Sequence, residues 1–212
     1  EVRQVRVKLS NSWPEISSLS GRLSLQENNL SVFFTKGKIG NIDLQKLKVA
    51  LQGLSTGVSA VQFNGEASGD SGEMIDLARE GRFVRPEEEW LHQIRMTGKS
   101  KLSLELDAVR NDRNFLVTRL KGRYQLIDNQ IDLGRHIPDL NEISGALVFT
   151  QSDIALEKLH GKILGGPVNI TSVALPEGGL RIQADGDVDF DALALDFATT
   201  PESMLQLWGR FF

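Results

Sequence analysis

Residues 137–175 read IPDLNEISGALVFTQSDIALEKLHGKILGGPVNITSVAL, and their turns and alternation decide the fold. Runs at 145–149 and 154–159 flank a polar link at 150–153, and a third run follows the Gly165-Gly166-Pro167 turn. Alternation with period two between such turns predicts a β-meander. The phrase has copies. An ungapped offset of 124 lays 13–39 over 137–163 and matches Pro14, Ser20, Gly21, Leu23, Gly37, Lys38 and Ile39 with Pro138, Ser144, Gly145, Leu147, Gly161, Lys162 and Ile163. A shorter copy, LKGRYQLIDNQIDL at 120–133, lies over LSGRLSLQENNLSV at 19–32. The chain reads as stacked hairpins of one kind.

Outward from that stretch the pattern continues. Val5, Val7 and Leu9 alternate with Arg6 and Lys8, which predicts a strand over 5–9. A hairpin with one apolar side follows, carrying Leu23 and Leu25, then Leu30, Val32 and Phe34. Ile42, Leu44, Leu47, Val49 and Leu51 extend it, as do Val61, Phe63 and Ala67. Residues 69–96 differ in kind. EMIDLARE predicts about two helical turns, and Pro86 before Glu87, Glu88 and Glu89 predicts a second short helix with Trp90, Leu91 and Ile94 at helical spacing. These helices read as a connector packing its apolar stripe on the sheet edge, or as a gate or docking element.

Strands resume at Gly98 with Leu102, Leu104 and Leu106, then 115–125, a turn at Asp128-Asn129 into 131–133, and further strands over 180–184 and 186–190. Thr200-Pro201-Glu202 opens a last helix with Met204, Leu205, Trp208, Phe211 and Phe212 on one side, and an ending on two Phe suggests a cut before the next element. The expected organisation is a first β segment (1–69), a helical connector (70–97), a second β segment (98–191) and a C-terminal amphipathic helix (192–212). One sheet of a dozen or so mostly antiparallel strands runs through both β segments.

Composition excludes several functions. The net charge is −4, from 24 basic and 28 acidic residues spread along 212 positions, so no cationic footprint marks a nucleic-acid binder. The absence of cysteine removes disulfides, thiol catalysis and thiolate metal sites. No apolar run reaches the ~18 residues of a membrane span. EVRQVRVKL at the start has neither an initiating Met nor a signal-like apolar run, so the chain reads as a piece of something longer.

No motif carries chemistry. Asp185, Asp187, Asp189 and Asp191 suggest a calcium loop, but Phe190 stands where the EF-hand needs Gly and Asp196 where it needs Glu. Alternation makes them the wet face of a strand instead. His92, His136 and His160 show no metal-ligand spacing, and no GxSxG elbow or phosphate loop occurs. No catalytic residue, metal ligand or cofactor site is expected, and the chain reads as a non-enzyme. What remains is the apolar face, which a second sheet would cover in a closed sandwich and an acyl chain in an open, curled sheet.

In the order EMIDLARE, GKSKLSLEL, LKGRYQLIDNQIDL, then ISGALVF and IALEKLHGKILGGPVNI, the chain resembles the AsmA-like proteins of Gram-negative bacteria, in their YhdP-like branch. The likeness is carried by 74–170, where a G-x-L-x-F phrase, an apolar strand and an LGGP turn recur in the family's order. It implies a mainly β protein, a long antiparallel sheet of repeated hairpins curled into a taco-like groove, with short helices between strands and at the C-terminus. It also implies a periplasmic segment of an inner-membrane-anchored protein, a bridge that moves phospholipid between the inner and outer membranes. The partners are then phospholipid acyl chains, the remainder of the same long chain with its anchor and further groove repeats, and proteins of either membrane. On repeat and resemblance together, the expected groove residues are Leu23, Leu25, Leu30, Val32, Phe34, Leu102, Leu104, Leu106, Tyr124, Leu126, Leu147, Phe149, Ile163, Val168 and Ile170. The alternative is a closed sandwich-like interaction segment with no lipid.

Overall fold

The computed structural model describes residues 1–8, 14–55, 57–80, 93–111, 114–134, 138–175 and 180–187. Five strands precede a helix: β1 (Val2–Val7), β2 (Ile16–Gln26), β3 (Asn29–Ile39), β4 (Ile42–Gln52), β5 (Ala60–Asp70) and α1 (Ser71–Glu80). Six follow it: β6 (Arg95–Asn111), β7 (Asn114–Asp132), β8 (Leu140–Thr150), β9 (Ile154–Ile163), β10 (Gly166–Ala174) and β11 (Leu180–Gly186). All eleven form one sheet whose spatial order is the sequence order, and each strand pairs antiparallel with the next. No second sheet lies over it among the described residues, so the sandwich alternative is not the architecture of this segment.

Alternation alone would not keep the apolar residues together over strands this long. Inside the strands Gln4, Ser18, Lys46, Asp128, Glu142 and Lys158 take φ between 49° and 55°, each at a break in register. These are one-residue bulges, which bend the strand and reset its phase. Ile16 and Leu19, Leu44 and Leu47, Leu140 and Ile143, and Leu156 and Leu159 stand three apart yet share one face because a bulge lies between them. All six bulged residues are polar.

The bulges also curl the sheet, and curling gives a one-layer structure an interior. Side chains of the concave face form two buried clusters. Leu19, Ile39, Ile42, Leu44 and Leu47 make one with Met74 of α1; Leu126, Ile131, Leu140, Ile143, Leu159, Val168 and Ile170 make the other with Ile94. Tyr124 packs against both. Crowding on this face is relieved by glycine: Leu19 lies over Gly37, Leu47 over Gly65, Phe149 over Gly122 and Ile143 over Gly161.

The internal repeat is written into this geometry. The offset of 124 carries Ile16–Gln26 onto Leu140–Thr150 end to end. It also carries the Ser18 bulge onto the Glu142 bulge, and Leu19 over Gly37 onto Ile143 over Gly161. The shorter copy misleads. Asp128-Asn129 is not a turn; β7 runs on through it as a bulged strand, because Asn129 donates through Nδ2 to the Lys99 carbonyl of β6 at 2.8 Å and stays in the ladder.

α1 starts where Asp70 Oδ1 accepts from the backbone N–H of Gly72 (2.9 Å) and Glu73 (3.2 Å), satisfying two otherwise orphaned donors. Glu73 in the first turn and Arg79 in the last suit the helix dipole. Met74 is buried in the N-terminal cluster, and Arg79 Nη2 donates to the Ile94 carbonyl at 2.5 Å. The helix therefore seats on the concave face beside β5 and β6, two central strands, and not along an edge strand. The rest of the expected second helix before Gln93, the strand beyond Asp187, the C-terminal helix, His92 and His136 lie outside the described residues.

Candidate functional site

Residues directly opposed across an antiparallel pair share a face, so the register traces the concave surface strand by strand. One ladder runs Leu25, Leu30, Leu51, Val61, Ala108, Val117 across β2 to β7. The next runs Leu23, Val32, Val49, Phe63, Leu106, Leu120 across the same strands. A third runs Leu44, Ala67, Leu102, Tyr124, Leu147, Leu156 across β4 to β9. These rows make an unbroken apolar trough floor crossing the strands.

The register places all fifteen expected groove residues on this one face. Leu126, Val168 and Ile170 are buried beneath their neighbours there and present no open surface; the other twelve keep some exposure. Val49, Leu51, Val61, Phe63, Leu120, Leu156 and Ile182 share the face and were not among the fifteen. Period-two alternation in their own strands was the signal that could have found them.

The trough is unequal along the strands. At the ends where β3 turns into β4 and β9 into β10, the face is sealed by its own packing: Ile39, Ile42, Leu140, Ile143 and Val168 are buried, with α1 seated over that half. At the opposite ends, beside the β2–β3, β6–β7, β8–β9 and β10–β11 turns, large apolar side chains stay open. Leu23 is 53% exposed, Leu25 62%, Ile154 44% and Ile182 61%. Val109, Leu116, Ile127 and Val173 are exposed on the other face.

One polar cluster is buried on the same face where α1 meets β6 and β7. Ser71 of α1, Ser100 of β6 and Asn129 of β7 are buried around Tyr124. Ser100 Oγ donates to Met74 Sδ at 3.1 Å, while Ser71 Oγ, Tyr124 Oη and Asn129 Oδ1 have no hydrogen-bond partner. Desolvation pushes the Tyr124 phenol above its ordinary value near 10; the Ser100 and Ser71 hydroxyls pull it back, and the Asp70 charge adds to the rise.

The convex face is wet and laced with exposed ion pairs. Lys46–Glu66 (2.9 Å), Arg119–Glu105 (2.7 Å) and Lys162–Glu142 (2.6 Å) each bridge neighbouring strands, and Arg123–Glu157 (2.5 Å) reaches from β7 across β8 to β9. Exposed pairs of this kind contribute about 0–1 kcal/mol each; their service is to keep this side polar. A cleft of about 180 Å³ lined by Gln45, Glu66, Lys101, Ser103, Arg123 and Gln125 opens here, and Glu66 is its single carboxylate. His160, Asp185 and Asp187 are exposed. Among the described residues no three His, Cys, Asp or Glu are placed to hold a metal, and no helix is long and apolar enough to cross a membrane.

The chemistry available is thus burial of something apolar. Comparison with curated proteins and with solved structures gave no match. The family model described as YhdP protein matches residues 1–206.

Proposed function

The chain belongs to the YhdP family, and from that membership and the one-sided trough we propose that it is a segment of a bridge-like carrier, its apolar floor holding phospholipid acyl chains in transit between the inner and outer membranes. The observation that carries this reading is the set of unbroken apolar ladders crossing the sheet from strand to strand. In this reading the segment is periplasmic and part of an inner-membrane-anchored protein. It needs no cofactor and performs no catalysis.

The energetics suit carriage. At ~0.8 kcal/mol per buried CH₂, a sixteen-carbon chain gains on the order of 12 kcal/mol by leaving water. No polar anchor is needed for retention, and fast passage asks that successive stations be equally good, since a deep well would trap the lipid. Rows of Leu, Val and Phe repeated across strands supply that uniformity. Native mass spectrometry of the protein purified from membranes, with photo-crosslinkers at Leu104 and Leu147, tests the reading. Co-purified phospholipid and crosslinks to it in cells are expected; lipid-free protein with no crosslink overturns it.

A further inference from the structure

Once the ion pairs of the convex face are matched, the charge left over is basic. We propose that this face, from β2 to β7, binds an acidic glycan: a sugar polymer carrying carboxylates, with one sugar ring seated in the cleft between Lys101 and Arg123. The inference rests on the fold and is independent of lipid carriage on the other face.

Three observations converge. First, the face has cations to spare. Its carboxylates Asp43, Glu66, Glu105 and Asp107 are taken by Lys38 (3.2 Å), Lys46 (2.9 Å) and Arg119 (2.7 and 3.9 Å). Arg22, Lys36, Lys48, Lys101 and Lys121 are exposed and hold no ion pair among the described contacts. The register gathers them. One row runs Arg22, Phe33, Lys48, Asn64, Glu105, Lys121 across six strands, and the two rows beside it bring in Lys36 and Lys101. At ordinary strand and pleat spacings the patch measures roughly 24 Å by 14 Å. The chain's net charge of −4 hides it, because acidic residues outside these strands, Glu87, Glu88 and Glu89 among them, outweigh the excess.

Second, the patch has a seat. The cleft of about 180 Å³ lies within it, where the short Ser68 and Ser103 stand among the longer Gln45, Glu66, Lys101 and Arg123. Hydroxyls, an amide, two cations and a carboxylate thus line one space of about the bulk of a single sugar ring. Third, the mixture of charges selects the ligand. A sugar hydroxyl both donates and accepts, so it can use the fixed carboxylates of Glu66 and Glu105 as well as the lysines. A nucleic acid or an anionic bilayer presents closely spaced phosphates, which those same carboxylates repel. Protein interfaces are depleted in Lys, Glu, Asp and Ser, the residues that make up this patch. Carboxylates spaced along a hydroxylated chain match both the excess charge and the neutral polar groups around it.

The test titrates the full-length protein against a fluorescent oligogalacturonate. Binding that weakens as salt rises is expected, and Lys48→Gln, Lys101→Gln and Lys121→Gln together should weaken it roughly tenfold. Removing as many charges from the edge strands, by Arg3→Gln, Arg6→Gln and Arg181→Gln, should leave it within about twofold. Ser103→Leu, which fills the cleft and changes no charge, should weaken it by about threefold or more; an unchanged affinity in that variant overturns the seat. No binding, equal losses in the two triple variants, or polyglutamate bound as tightly as the sugar overturns the glycan. Phosphatidylglycerol vesicles bound in its place through Lys48, Lys101 and Lys121 assign the face to a membrane and overturn it equally.

Discussion

Tyr124 is the single tyrosine of the chain, and it stands where the two buried clusters meet. Its hydroxyl has no partner, so Tyr124→Phe removes an unsatisfied buried group and should be neutral or stabilising by up to ~1 kcal/mol. Its folded pKa lies above the ordinary value near 10. The neutral phenol is therefore favoured by folding, and the stability linked to it is present below pH 10 and is lost as pH rises through the folded value. Urea midpoints of wild type and Tyr124→Phe should move apart above pH 10, with the wild type losing more. At this scale the sequence was partly legible. Alternation marked Tyr124 as trough-facing, but nothing in RYQLIDN announces that Ser71, distant in the chain, shares its pocket.

At the scale of the element, the bulges are the feature with consequences. A non-glycine residue in the left-handed region pays roughly 1–2 kcal/mol, offset in part by the lower unfolded-state entropy it carries relative to glycine. Lys158 has φ 49° and no ion pair among the described contacts. Lys158→Gly should raise stability by ~0.5–1 kcal/mol, and Lys158→Val should lower it by at least ~1 kcal/mol; chemical denaturation reads both. The glycines beneath neighbouring side chains predict the opposite sign. A Cβ on Gly161 would meet Ile143 Cδ1 and the Asn141 carbonyl oxygen at 2.4 and 2.6 Å. Gly161→Ala should therefore cost ~2–3 kcal/mol and lower Tm by several degrees.

Strand existence was legible from period-two alternation, and the β9–β10 turn nearly so: Gly165-Gly166-Pro167 marks it, but the turn falls on Leu164-Gly165, and Gly166 and Pro167 already pair in β10 with Ile163 and Lys162. The bulges were not, because a polar residue at positive φ looks like any other solvent-facing residue. For the same reason Asp128-Asn129 reads as a turn when it is a kink in a nineteen-residue strand.

For the whole molecule, exposure separates two kinds of leucine and isoleucine that the sequence writes alike. Leu25→Asp, in the open half, should change stability by less than ~0.5 kcal/mol and abolish lipid loading, read by native mass spectrometry. Ile143→Asp, in the sealed half, buries an unpaired carboxylate and should cost several kcal/mol, read as loss of the folded strand signal. The repeat at offset 124 foretold one sheet of similar hairpins. Which half of its face stays open depends on the curl and on where α1 seats, and both are set by contacts between distant residues.

The strictly sequential strand order has a consequence for folding. Each strand is hydrogen-bonded only to its neighbours in sequence, so stability is close to a sum of hairpin terms and nearest-neighbour interfaces, as in a linear repeat array. Unfolding need not be all-or-none: a rupture at one hairpin can leave the pairing on either side intact. Hydrogen exchange should then show neighbouring strands opening in small groups, with different opening free energies for the β2–β4 and β7–β9 regions, so that cooperativity here is a local property with a range of a few strands.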